Sequence, residues 1–136
     1  MVDFTVKSQF FRFSIVGGVG FFVDGFFLVM LTMLDWNLLM ARLGSFACAV
    51  SVTWYFNRMW TFNRTGVHKP PIVNQYFYYI TVQLFGAGIN LGVFFLVIYW
   101  FPIISKQPLI ALVVGSSVAL FFNYFAAKKI VYNKMA

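Results

Sequence analysis

The chain has 136 residues, of which 62% are hydrophobic and only 10% charged. A soluble domain is roughly 45–50% apolar and about 25% charged. So few charges could not shield an apolar core from water, which excludes a soluble enzyme and predicts a single integral membrane domain over residues 1–136. The net charge of +7 would point to nucleic acid in a soluble protein, but here the basic residues fall between apolar runs. Membrane orientation and anionic headgroups account for them, and no nucleic-acid partner is expected.

An all-α fold of four transmembrane helices follows, because a chain of this length holds about four spans of ~20 residues with short connectors. Met1 to Arg12 carries Phe4, Phe10 and Phe11 beside Lys7 and Arg12, an amphipathic lead-in at the membrane surface. Span 1 is expected at about 12–34. It is too long for the apolar region of a secretory signal and lacks a small-residue cleavage site, so it is read as uncleaved. Asp35-Trp36-Asn37 makes a short polar turn. Span 2, at about 39–58, is rich in small residues (Gly44, Ser45, Ala47, Cys48, Ala49, Ser51) that permit close helix contact in lipid. Cys48 is the single cysteine and is expected to pack rather than react. The connector from Asn63 to Asn74 holds Arg64, Gly66, His68, Lys69, Pro70 and Pro71, and is the one long water-exposed loop. Span 3, at about 76–100, carries Gly86, Gly88 and Gly92, the last two a small-x3-small pair. Pro102, Lys106 and Pro108 mark the next turn, and span 4, at about 109–127, runs into Lys128-Lys129-Ile130-Val131-Tyr132.

The basic residues set the orientation. Lys7, Arg12, Arg58, Arg64, Lys69, Lys128, Lys129 and Lys134 fall on one side of this layout, and only Arg42 and Lys106 on the other. That asymmetry places both termini and the middle connector in the cytoplasm.

The halves also resemble each other. An offset of 66 carries Gln9-Phe10-Phe11 onto Gln75-Tyr76-Phe77, Gly20 onto Gly86 and Asp24 onto Asn90. After the first outer turn the offset becomes 70, pairing Met40-Ala41 with Ile110-Ala111, Arg58 with Lys128 and Phe62 with Tyr132. The second outer turn is therefore expected to be longer by four residues. Two spans per half mean that both halves enter from the same side, as two parallel two-helix repeats.

With these features in place, the chain resembles the GtrA-like family of small four-span membrane proteins. The resemblance rests on the Arg-Phe-x3-Gly-Gly-x5-Asp run from Arg12 to Asp24, on Asn57-Arg58-x-Trp60-Thr61-Phe62 closing span 2, and on the second-half echo Lys128-Lys129-Ile130-Val131-Tyr132. It covers essentially the whole chain, although the echo departs from the family's usual Arg-x-Trp-Val-Phe form. It implies work on polyprenyl-phosphate-linked sugars in the inner (plasma) membrane, beside a polyprenyl-phosphate glycosyltransferase, during glycosylation of a cell-surface polysaccharide. The implied task is to move the lipid-linked sugar from the cytoplasmic to the outer leaflet.

Asp24 is the first candidate, because a carboxylate at the middle of a span costs at least ~2.5 kcal/mol. It would line a path for the sugar or carry a proton. The plainer account is a protonated carboxyl hydrogen-bonded to a neighbouring helix, with Asn90 as the partner; with no basic residue expected at its depth, an ion pair is not foreseen. Asn90, Asn123 and Gln83 are buried amides that most often act as interhelical glue, Asn90 being the best candidate to touch sugar because it shares the register of Asp24. Asn57, Arg58, Lys128 and Lys129 close spans 2 and 4. They fit positive-inside anchoring, and equally a site for the phosphate of the carrier, for which Arg supplies bidentate hydrogen bonds. Trp36, Trp54, Trp60 and Trp100 read as interfacial belt residues, Trp60 with an option to stack on sugar. No catalytic constellation, cofactor site or metal spacing stands out, and His68 has no second ligand nearby.

The expected function is thus flipping of a polyprenyl-phosphate sugar. Four short helices enclose little space, so a groove open to lipid, or a homo-oligomer, suits a headgroup better than a closed channel. A non-transporting scaffold that recruits the glycosyltransferase is the rival. A proton-coupled exporter of cationic compounds would use Asp24 but leaves the Asn57 motif without a role.

Overall fold

The computed structural model describes residues 2–63, 71–106 and 108–132, with side chains over 7–37, 39–63, 71–104 and 110–132. Arg64, Gly66, His68, Lys69 and Pro70 of the expected connector, and Lys134, lie outside the described residues, as do the side chains of Lys106 and Pro108. Every described element is helical: α1 (Val2–Met33), α2 (Leu38–Phe56), a π-helical turn (Asn57–Thr61), α3 (Ile72–Trp100), a 3-10 turn (Pro102–Lys106), α4 (Pro108–Ala126) and a second π-helical turn (Ala127–Tyr132). Four apolar helical runs of 27, 23, 29 and 23 residues each exceed the ~20 residues needed to cross a bilayer. The chain is an all-α, multi-pass membrane protein.

Two boundaries move relative to expectation. No proline or glycine occurs before Gly17, so the lead-in and the first span form one continuous helix from Val2. Likewise α3 starts at Ile72, directly after the extended Pro71, and absorbs the last three residues assigned to the connector.

Contacts divide the chain into two units, Met1–His68 and Lys69–Ala136, each built on a pair of helices. In the first unit, Phe13, Val16 and Gly20 of α1 are buried at helical spacing. They face a stripe of small residues on α2, where Ala41, Ser45 and Ala49 recur every fourth position and are buried. A side chain at Gly20 would run into the Thr53 methyl group. In the second unit, Gln75, Tyr79, Val82 and Gly86 of α3 face Ala111, Gly115 and Ala119 of α4, which are buried at the same spacing. A side chain at Gly86 would meet Asn123, the residue equivalent to Thr53 at the offset of 70. In lipid, van der Waals contact between small residues, not exclusion of water, holds such a seam.

Gly88 and Gly92, expected as a small-x3-small contact, do not serve this seam, and a Cβ added at either meets nothing within 4 Å. At ~100° per residue they turn away from the Tyr79–Val82–Gly86 stripe, and the small-x3-small role falls to α4. Away from the seams, Phe21, Phe22, Phe26, Leu84, Phe85 and Phe95 are exposed, as a lipid-facing surface requires.

The first turn closes within four residues. Trp36 N–H bonds the Leu31 carbonyl at 3.1 Å and Asp35 N–H the Thr32 carbonyl at 3.2 Å, the paired bonds of a Schellman motif. Asn37 then caps α2, its side chain accepting from the Met40 N–H at 2.9 Å. Asp35 occupies the left-handed position at φ 61°, where glycine is usual. Asp35→Gly should therefore raise stability by roughly 1 kcal/mol, and Asp35→Val should lower it. Midpoints of denaturation in detergent would check both; equal midpoints would show that the turn carries no conformational strain. In the second turn the 3-10 segment accommodates the four extra residues, with Ile104 N–H bonded to the Phe101 carbonyl at 2.9 Å.

Both second helices end in a π turn where an α-helix was expected to continue to residues 58 and 127. Phe62 N–H reaches back five residues to the Asn57 carbonyl at 2.8 Å, the closure that defines such a turn. Thr61 Oγ1 donates to Asn57 Oδ1 at 2.8 Å, with both side chains buried. The result sets Phe62 edge-on to Phe13, ring centres 6.1 Å apart. The second unit repeats it, with Tyr132 edge-on to Tyr79 at 6.3 Å. These pairs are equivalent under the two offsets read from the sequence.

Candidate functional site

Asp24 continues the buried stripe of α1, four residues beyond Gly20, so the helix delivers it to the seam. It lies nine residues before the end of α1 (24 to 33), about 14 Å at ~1.5 Å per residue. Arg42 lies four residues inside α2 (38 to 42), about 6 Å. The long guanidinium arm spans the difference, and Arg42 Nη1 donates to Asp24 Oδ2 at 2.6 Å. This corrects the expectation that no basic group reaches Asp24. Depth was judged from backbone position, whereas an arginine side chain covers several ångströms along a helix. Asp24 is 20% exposed and Arg42 55%. The bond is end-on, and Asp24 Oδ1 is buried with no hydrogen-bond partner among the described residues.

Asn90, at the position equivalent to Asp24, forms no charge pair. Its Nδ2 donates to Ser116 Oγ at 3.4 Å, and its carbonyl lies where a Cβ on Gly115 would stand. Asn123 Nδ2 donates to Gln83 Oε1 at 3.4 Å, while Asn123 Oδ1 is buried and accepts nothing among the described residues. Both amides tie α3 to α4 within their own unit, the interhelical role that such groups commonly take.

The π turns position the basic candidates. Asn57 is buried within the first turn, acting through Thr61 as internal scaffolding. Arg58 stands over the Trp54 ring, 6.0 Å from its centre. In the second unit Lys128 stands over the Tyr124 ring at 5.6 Å and donates to the Tyr124 hydroxyl at 3.5 Å. Trp54 and Tyr124 are again equivalent at the offset of 70, so each unit holds a cation against an aromatic face four residues earlier. Such contacts orient the cation at the end of its helix. Lys129 is exposed.

Two residues escaped the sequence-based site. Arg42 was counted as a surface charge, although a lone arginine inside an apolar span was itself a signal. Arg12 donates to the Trp60 carbonyl at 3.3 Å and covers the Trp60 ring at 5.6 Å, joining the start of α1 to the first π turn. Trp60 is thus engaged by an arginine of its own chain. The first unit therefore gathers Arg12, Arg58, Trp54 and Trp60 at its open end, and the Asp24–Arg42 pair within the seam.

A protein-family model described as GtrA/DPMS, transmembrane domain, matches residues 12–132. The match runs from the arginine that engages Trp60 to the tyrosine that packs on Tyr79. A comparison with curated proteins finds no match.

Proposed function

Since the chain belongs to the GtrA/DPMS transmembrane-domain family, we propose that it handles polyprenyl-phosphate-linked sugars and moves them from the cytoplasmic to the outer leaflet of the inner membrane. The observation that carries this is the repeated cation-over-aromatic arrangement, Arg58 on Trp54 and Lys128 on Tyr124. An oriented guanidinium or ammonium at a helix end suits a lipid phosphate, and an aromatic beside it suits a sugar face. In this mechanism each unit receives phosphate at its own cytoplasmic helix end, the first through Arg58 and the second through Lys128 and Lys129, with Asn57 fixing the turn that presents Arg58. The prenyl tail stays in lipid while the sugar passes mid-span polar groups, Asp24 in the first unit or Asn90 and Asn123 in the second. The chain acts as a transporter rather than a catalyst, and a polyprenyl-phosphate glycosyltransferase supplies its substrate. Both termini face the cytoplasm in this scheme, following the basic residues at the open ends.

Reconstitution tests it. Vesicles holding the protein and a polyprenyl-phosphate sugar should expose inner-leaflet sugars to an impermeant reagent faster than empty vesicles do. Arg58→Ala should slow this by at least about tenfold, since a hydrogen bond to a charged group is worth ~1.5–3 kcal/mol, and Lys128→Ala by less. No acceleration, together with co-purification of a glycosyltransferase, would replace the flippase with a recruiting scaffold.

A further inference from the structure

We propose that Arg42 is a phosphate-reading residue within the second span, and that Asp24, on the first, is the positioning residue that holds it there. This rests on the preceding reading for its ligand class, the phosphate or phosphodiester of a prenyl-linked lipid.

The direction of the arginine arm is the first support. An arginine near a helix end ordinarily extends toward the headgroups, where its charge is solvated. Arg42 reaches the opposite way, toward a carboxylate about 8 Å deeper along the hairpin. Asp24 supplies the attraction that reverses it.

The incompleteness of the pair is the second. A guanidinium has five N–H donors, and the bond to Asp24 uses Nη1 alone. The Arg42 side chain is 55% exposed, and its guanidinium is the planar fork that matches phosphate oxygens. A buried ion pair repays its desolvation only when its geometry is excellent and its remaining donors and lone pairs are satisfied. This one is end-on, with a carboxylate oxygen left unbonded among the described residues.

The third support comes from the other half of the chain. There the equivalent positions hold Asn90 and Leu112, and the hairpin forms the same seam, with Ala111, Gly115 and Ala119 buried where Ala41, Ser45 and Ala49 are buried. Packing therefore does not require the charges. A charged pair at membrane depth that its fold can do without belongs to binding.

The test is a titration observed at the residue itself. The chain has four arginines, Arg12, Arg42, Arg58 and Arg64, so detergent-solubilised protein carrying 15N-arginine gives four Nε–H signals. Arg42→Lys assigns the second by its disappearance, and lysine substitution of the other three assigns it by elimination if that variant misfolds. Farnesyl phosphate should shift the Arg42 signal saturably, farnesol should leave it in place, and short-chain phosphatidylglycerol should bind at least about tenfold more weakly. Asp24→Asn should weaken the farnesyl phosphate response by a similar factor while the Arg58 response persists. An Arg42 signal that farnesyl phosphate leaves unmoved, or that phosphatidylglycerol moves equally well, overturns the proposal. An unmoved Arg42 signal beside a responsive Arg58 leaves the flippase standing. A responsive Arg42 in a protein that fails to flip lipid would remove the flippase and leave this site.

Discussion

Arg42→Leu should destabilise the protein by about 2.5 kcal/mol, and adding Asp24→Asn to it should recover most of that loss. The single variant leaves Asp24 in the span without its cation, a condition that costs at least ~2.5 kcal/mol for a mid-span carboxylate. The figure stays below the 3–5 kcal/mol of fully buried pairs because Arg42 is half exposed. The double variant gives the first hairpin the residues that the second already carries at 90 and 112, a combination known to be compatible with this seam. Unfolding of wild type, both single variants and the double variant in detergent closes the thermodynamic cycle. The double variant should fold and still fail to transport. A single variant as stable as wild type would mean that the pair contributes nothing to the hairpin. A double variant as unstable as the single would show that lost packing of the arginine stem, not the stranded charge, sets the cost.

Gly115→Ala should cost about 1–3 kcal/mol, whereas alanine at Gly17, Gly18, Gly25, Gly88 or Gly92 should be neutral or stabilising by up to ~1 kcal/mol. A Cβ at 115 would stand 2.6 Å from the Asn90 backbone carbonyl and 3.4 Å from the Phe94 nitrogen. Backbone cannot rotate aside as a side chain can, so α3 and α4 must separate and the Ala111–Gly115–Ala119 seam loosens along its length. At the five tolerant positions the added carbon meets nothing and lowers the conformational freedom of the unfolded helix. Gly20 and Gly86 should fall between these limits, since the obstructing atoms belong to the Thr53 and Asn123 side chains. Denaturation midpoints across the eight variants would rank them. If Gly88→Ala and Gly92→Ala proved as damaging as Gly115→Ala, those glycines would have to serve a contact other than the α3–α4 seam.

The sequence made the four spans and the repeat visible because both are carried by residue type. Long apolar runs reveal spans, and offsets of 66 and 70 were readable from Gly20 and Gly86, Arg58 and Lys128, and Phe62 and Tyr132. The π turns were not readable. An i+5 closure and an i+4 closure draw on the same residues, and only the position of Phe62 against Phe13 distinguishes them. Which glycines packed was also hidden, since Gly86, Gly88 and Gly92 look alike until the stripe through Tyr79 and Val82 sets the phase. Of the candidate site, Asp24 and the basic pair Arg58 and Lys128 stood out by charge and register. Arg42 did not, because its partner lies about one and a half helical turns deeper and only the side chain bridges the distance.

The order of the charges along the chain bears on biogenesis. Asp24 leaves the ribosome eighteen residues ahead of the arginine that neutralises it. If α1 entered the bilayer alone, it would carry an unaccompanied carboxylate into hydrocarbon, so α1 and α2 gain by partitioning together, with the tight Asp35 turn already closed. α3 has no charged residue between Ile72 and Trp100, and it can leave the translocon without waiting for α4. One chain thus combines a concerted insertion step with a sequential one.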